Sequence, residues 1–110
     1  ISTFFPHGVG HMVGQRVRDV GSTPTETPRK TCGVSVRVDL PLEENFIMTV
    51  EPGVYFVPTI LDHPSYRENF KTEINWSETE KWRDFGGIRF EDDILIKEKP
   101  ENLTAVVEKM

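Results

Sequence analysis

Cysteine is nearly absent: Cys32 is the one example in 110 residues, so no disulfide can close within the chain. Long apolar runs are missing as well, since none approaches the roughly 18 residues of a membrane span and no basic-then-apolar leader opens the sequence. Cationic clustering is also lacking. The 13 Lys and Arg are scattered among 18 Asp and Glu, giving a net charge of −5, whereas a phosphate backbone is gripped by grouped Lys and Arg. The expectation is a soluble, cytoplasmic protein of a reducing compartment, with neither membrane nor nucleic acid as partner. Hydrophobic content of 36% and charged content of 28% are ordinary for a globular chain. No long amphipathic helix is visible, and the pattern is that of strands.

The most informative stretch runs from Gly86 to Ile96. At the two-residue period of a strand it sets Ile88, Phe90, Asp92, Ile94 and Ile96 on one face. Arg89, Glu91, Asp93 and Leu95 fall on the other. A mostly core face backed by a charged one is the expectation, and a solvated edge strand reads the same way. Val34, Val36 and Val38 alternate with Ser35, Arg37 and Asp39, predicting a half-buried strand. Phe46, Met48 and Val50 share a face opposite Thr49 and Glu51, and Pro52 with Gly53 should end that strand just after Glu51.

The opening segment, Phe5-Pro6-His7-Gly8-Val9-Gly10-His11-Met12-Val13-Gly14, carries histidines four apart. A zinc-protease helix would need Glu after the first His. Gly8 stands there, and three glycines each cost a helix about 1 kcal/mol, so strand and loop are expected. Residues 22–33 read as an exposed loop rich in Thr and Pro, with Cys32 in a packing role. Residues 57–85 have the mixed texture of an excursion, with short helices expected at Pro64–Asn69 and Ser77–Arg83. There Trp76 and Trp82 pack the excursion onto the body, and His63 is a surface residue.

Three ordered motifs then stand out: His7-Gly8-Val9-Gly10-His11-Met12-Val13-Gly14, Thr49-Val50-Glu51-Pro52-Gly53-Val54-Tyr55, and Gly86-Gly87-Ile88-Arg89-Phe90-Glu91-Asp92. This set resembles the second half of the pita-bread metallopeptidases, the family of prolidases, aminopeptidases P, methionine aminopeptidases and creatinases. The resemblance runs from Phe5 to about Thr104 and favours bacterial prolidases, with Ile74-Asn75-Trp76 similar to the insert before the last motif. It implies an α+β pita-bread fold, here a strand-rich C-terminal fragment of the curved antiparallel sheet with few short helices. Residues 1–110 would then be the C-terminal part of the catalytic domain, needing the upstream half in the same or a separate chain, with homodimerisation of the parent left open.

The resemblance also implies the chemistry: cleavage of the peptide bond before proline in Xaa-Pro dipeptides through a metal-bridging hydroxide. It makes His11, Glu51 and Glu91 metal ligands, with two Asp ligands supplied from upstream. Two divalent ions per complete site are implied, manganese favoured over cobalt or zinc. The resemblance further gives Glu51 the proton of the attacking water, while His7 and Arg89 would bind substrate at the catalytic centre. Val17-Arg18-Asp19-Val20-Gly21 matches a family segment in which His occupies the place of Arg18. A guanidinium stays protonated and cannot relay a proton, so Arg18 enters the catalytic set with an altered role. Alternatives are a prolidase relative hydrolysing organophosphorus esters, and a non-catalytic pita-bread binding or scaffold module.

Overall fold

The computed structural model describes residues 2–22, 29–31 and 33–109. Among these residues, eight short strands and three short helices follow one another as β1 (Met12–Val13), β2 (Lys30–Thr31), β3 (Val34–Ser35), β4 (Ile47–Val50), β5 (Gly53–Tyr55), α1 (Pro58–Leu61), α2 (Pro64–Asn69), α3 (Trp76–Lys81), β6 (Gly87–Arg89), β7 (Asp92–Leu95) and β8 (Glu101–Asn102). All strand pairs are antiparallel. A four-stranded sheet runs in the order β1-β4-β7-β8, beside the pairs β2-β3 and β5-β6. No helix among the described residues is long and apolar enough to cross a membrane.

Two of these pairs form one long ribbon. β4 and β5 run outward, residues 57–85 make the excursion, and β6 and β7 return. Pro52 cannot donate a hydrogen bond, so β4 ends before it, as its sequence predicts. Yet the Phe90 N–H donates to the Pro52 carbonyl at 3.0 Å, bridging the break. The register is the same on both sides, with Val50 opposite Asp92 and Gly53 opposite Arg89. Glu51 is therefore set across from Glu91. Gly86, at φ +79°, turns the chain into β6 in the left-handed region that glycine enters without strain.

This break corrects the expectation of one continuous strand from Gly86 to Ile96. β6 pairs only with β5, and β7 joins the main sheet. The expected core faces are corrected too, because Ile88 and Phe90 are 42% and 39% exposed and Val50 is 38% exposed, whereas Thr49 and Glu51 on the polar face are 2% and 4% exposed. Among the described residues only Met12 and Leu61 are buried apolar side chains. The radius of gyration of 16.6 Å exceeds the roughly 13 Å of a compact domain of about 100 residues. The apolar sheet faces are thus only partly covered within the described chain, and the polar face is the more enclosed one.

The strand expected over Val34–Val38 is confined to β3 and its continuation at Val36, whose N–H donates to Arg29 O at 2.8 Å; beyond it the chain leaves β2 and the Asp39 N–H bonds to Gly21 O at 2.7 Å. Of the loop expected at 22–33, residues 23–28 lie outside the described residues, as does Cys32; its far end, Lys30–Thr31, is the exposed strand β2.

The excursion carries the two expected helices and a third, α1, that sequence reading missed although Val57-Pro58 is a helix-start signal. Pro64 opens α2 behind an exposed His63, whose ring accepts from the Ser65 N–H at 3.3 Å. Asn75 caps α3 by accepting from the Glu78 N–H at 3.1 Å. Arg67 lies over Trp76 at 4.4 Å and donates to Leu61 O at 2.6 Å. Trp82 stacks on Phe56 with ring centroids 6.0 Å apart, and Phe85 meets Phe56 edge-on at the same separation. Both tryptophans therefore hold the excursion together and against the ribbon.

Candidate metal centre

The sheet register brings together three residues that are far apart in sequence. Thr49 N–H donates to His11 O at 2.8 Å and Glu51 N–H donates to Val9 O at 2.6 Å, which extends the β1 pairing back to residue 9. Residues directly opposite one another share a face in an antiparallel pair. His11 beside Thr49, and Glu51 beside Glu91, consequently project from one face. A Cβ at Gly10 would fall 1.9 Å from Thr49 O, so glycine there is what permits the approach of this segment to β4. Each of His11, Glu51 and Glu91 offers a ligand atom within 4.8 Å of the other two.

Neighbouring groups orient these side chains. The Met12 carbonyl, 3.0 Å from His11 Nδ1, can only accept, so Nδ1 carries a proton. In the neutral ring Nε2 then presents its lone pair toward Glu51 Oε1, 3.5 Å away. Thr49 Oγ1 accepts from the His11 N–H at 3.0 Å and donates to Glu51 Oε1 at 3.4 Å. Arg89 spans both carboxylates, with Nε 3.4 Å from Glu51 and Nη2 3.2 Å from Glu91. Burial pulls the Arg89 guanidinium pKa down, but the charges of Glu51, Tyr55 and Glu91 outweigh it and hold the pKa above its usual value. Glu91 is exposed, unlike His11 and Glu51.

A cavity of about 200 Å³ opens beside the cluster, lined by His7, Gly8, His11, Arg18, Arg37, Glu51, Tyr55 and Arg89. His7 Nδ1 donates to Gly8 O at 2.7 Å, leaving Nε2 to accept from the Tyr55 hydroxyl at 2.9 Å. Arg18 is held in its loop by its neighbour, since the Asp19 carboxylate accepts from the Gln15 and Val20 N–H groups at 3.0 and 2.8 Å. Every residue singled out in the sequence as a candidate site residue, His7, His11, Arg18, Glu51, Arg89 and Glu91, lies in the cluster or the adjoining cavity.

Three further residues went unmarked in the sequence. Tyr55 ends the second motif, and that membership was the available signal; the structure sets it opposite Gly87. Thr49 could have been found from its position two residues before Glu51 on one strand face. Nothing distinguishes Arg37 in the sequence from the solvent-facing member of an alternating pattern.

The donor set suits a divalent cation. A neutral imidazole lone pair and two carboxylates are borderline-to-hard ligands, and a lone pair facing a carboxylate oxygen is repulsive unless a cation or proton lies between them. Asp92 and Asp93 stand apart, with Asp92 accepting from Thr104 Oγ1 at 2.7 Å and pairing with Lys109 at 3.1 Å.

Comparison with known proteins agrees. The chain is 37% identical to the Xaa-Pro dipeptidase of Shewanella denitrificans and 39% identical to that of Pseudoalteromonas haloplanktis, each over 109 residues. Each alignment covers 94% of this chain and 24% of the relative, so the chain spans about a quarter of the length of these curated proteins. Among solved structures, aminopeptidase P from E. coli with the inhibitor Pro-Leu superposes with a TM-score of 0.58 at 34% identity, covering 99% of this chain and 19% of that one. Proline aminopeptidase P II from Yersinia pestis gives 0.59 at 34% identity, with the same coverages. The strand-rich antiparallel architecture with short helices is accordingly part of the pita-bread fold. With the matching profile extending over residues 1–98, the chain belongs to metallopeptidase family M24.

Proposed function

We propose that this chain contributes His11, Glu51 and Glu91 to a dinuclear metal site in an Xaa-Pro dipeptidase, and that it forms the C-terminal part of that enzyme's catalytic domain. The observation carrying the reading is the convergence of these ligand atoms to within 4.8 Å from three separate strand segments. The open apolar faces of the sheet support the need for an upstream half, which would cover them and add two Asp ligands. Manganese is the favoured ion, with cobalt and zinc as alternatives, because an oxygen-rich donor set without thiolate suits such ions.

When bound, the metal ions acidify a water and polarise the scissile carbonyl. Glu51 takes the proton of the attacking water and passes it to the departing amine, a reading supported by its burial beside the cavity and by the hold on both its oxygens, from Thr49 and from Arg89. Arg89 is permanently charged, so it serves as a clamp: it fixes the two carboxylates and offers its remaining donors to the substrate carboxylate. His7, locked as the Nδ1–H tautomer, presents the Tyr55 hydroxyl to the cavity and shapes the wall against which the dipeptide lies. Arg18 adds positive charge at the cavity rim without a proton to exchange.

The test is the full-length protein loaded with manganese and offered Ala-Pro and Gly-Pro. The expected outcome is release of proline that a chelator abolishes. A folded, metal-loaded protein that releases none would overturn the reading and leave a binding or scaffold role for the fold.

A further inference from the structure

The cavity beside the cluster holds more positive charge than a neutral dipeptide can answer. Three guanidiniums line it, those of Arg18, Arg37 and Arg89. Arg89 is matched by Glu51 and Glu91. Arg18 and Arg37 have neither an ion pair nor a hydrogen bond among the described residues, so two cations face the cavity uncompensated. The dipeptide gives its prolyl carboxylate to Arg89 and so answers neither of them. Its free N-terminal ammonium adds another positive charge to the same small space, and at this separation like charges repel.

We propose that Arg18 is a specificity-determining residue that selects Xaa-Pro substrates with an acidic Xaa, Asp or Glu. The inference rests on the dipeptidase reading above. The proline ring carries no group beyond its carboxylate, so the Xaa side chain is the one place such a dipeptide can bear a second anion. A side-chain carboxylate there offsets the substrate's own ammonium and takes a charge-assisted, two-pronged hydrogen bond from the planar guanidinium. Imidazole in the same position would be largely neutral near pH 7 and would give no such preference. The charge at Arg18 is therefore a selective device, not a replacement for proton relay.

The test compares isosteres that differ by one charge. In the full-length, metal-loaded protein, kcat/KM for Glu-Pro is expected to exceed that for Gln-Pro by about tenfold, the size of a partly exposed charge-assisted hydrogen bond. Arg18→Gln should bring the ratio to about one, and Arg18→Lys should keep part of it. Because the readout is a ratio within one enzyme, a general loss of rate in the variant does not disturb it. Calorimetric titration with glutarate and butyrate supplies a second measurement free of turnover, in which the dianion should bind about tenfold more tightly to the native protein and lose that advantage in Arg18→Gln. A wild-type ratio near one, or a ratio unchanged by Arg18→Gln, overturns the assignment. Absence of hydrolysis of either dipeptide, with the glutarate advantage present and removed by the variant, would instead strike the dipeptidase reading and leave the anionic subsite standing.

Discussion

The excursion of residues 57–85 and the metal centre are built on opposite plans. The excursion closes on itself: Leu61 is fully buried, Arg67 reaches Trp76, Leu61 and Glu80, and Arg83 pairs with Asp62 and Glu80. Its helices start at Pro58 and Pro64 and at the Asn75 cap, so the groups that begin each helix are local to it. The metal centre depends on strands far apart in the chain. It buries Thr49, Glu51 and His11 while leaving Val50, Ile88 and Phe90 exposed. Burial of a carboxylate beside another carboxylate disfavours the charged forms unless cations compensate. One region is arranged for its own stability and the other for chemistry, its ladder holding two carboxylates near each other with Arg89 between them.

The sharpest way to separate the two regions is Glu51→Gln. The substitution preserves shape and removes one charge from the cluster. In the full-length protein kcat for a Xaa-Pro substrate should fall roughly 10³-fold, as expected when a general base beside a metal is lost, and bound metal measured by elemental analysis should drop. Amide exchange in α1–α3 should be unchanged. Equal activity in the variant would remove Glu51 from the chemistry, and accelerated exchange across the excursion would show that the two regions are not independent.

Leu61→Ala probes the other side. Truncating a fully buried Leu costs about 3 kcal/mol, and Leu61 has no exposed surface. Exchange and proteolysis should rise within residues 57–85, while metal content stays near the native level because His11, Glu51 and Glu91 are held by the sheet. Loss of metal on this substitution would mean that the excursion, through the Phe56 and Trp82 stack, supports the site.

The two plans also explain what was legible in the sequence. The α2 and α3 helices could be read because their signals are local: a proline at the first turn, an Asn cap, a short amphipathic run. The site residues could be read because three motifs carried them, and Pro52 marked where the strand would break. Which face is buried could not be read from alternation at Phe46, Met48 and Val50 or at Ile88 and Phe90. Periodicity distinguishes two faces, but what covers each face is decided by segments outside the pattern. The break that separates β6 from β7 was likewise hidden, since Phe90-Glu91 shows no breaker of its own and loses the ladder because Pro52, with no N–H to donate, faces it across the ribbon. Arg37 was missed for a related reason, as its place in the cavity comes from the path of the chain after β3.

The smallest effect, and the finest test of the excursion's self-sufficiency, concerns Asp62. The hydrogen bond from Arg83 holds its pKa below the ordinary 3.8, with desolvation opposing and the charges of Arg83 and Arg67 assisting. A carboxyl group depressed in the folded state adds stability above its unfolded pKa and loses that contribution as pH falls through the folded value. The excursion should therefore loosen as pH drops below about 3.8, seen as faster exchange in α1–α3 on acidification. Asp62→Asn should make the excursion slightly weaker at neutral pH and flatten this acid dependence, and high salt should mimic the neutral-pH loss because the pair is exposed. Asp92, held low by Thr104, Asn102 and Lys109, should keep its own acid response in that variant because all three of these partners lie in the C-terminal segment and none in the excursion. If Asp62→Asn instead altered the acid response of β7 and β8, the excursion and the sheet would be one cooperative unit and the division drawn between them would fail.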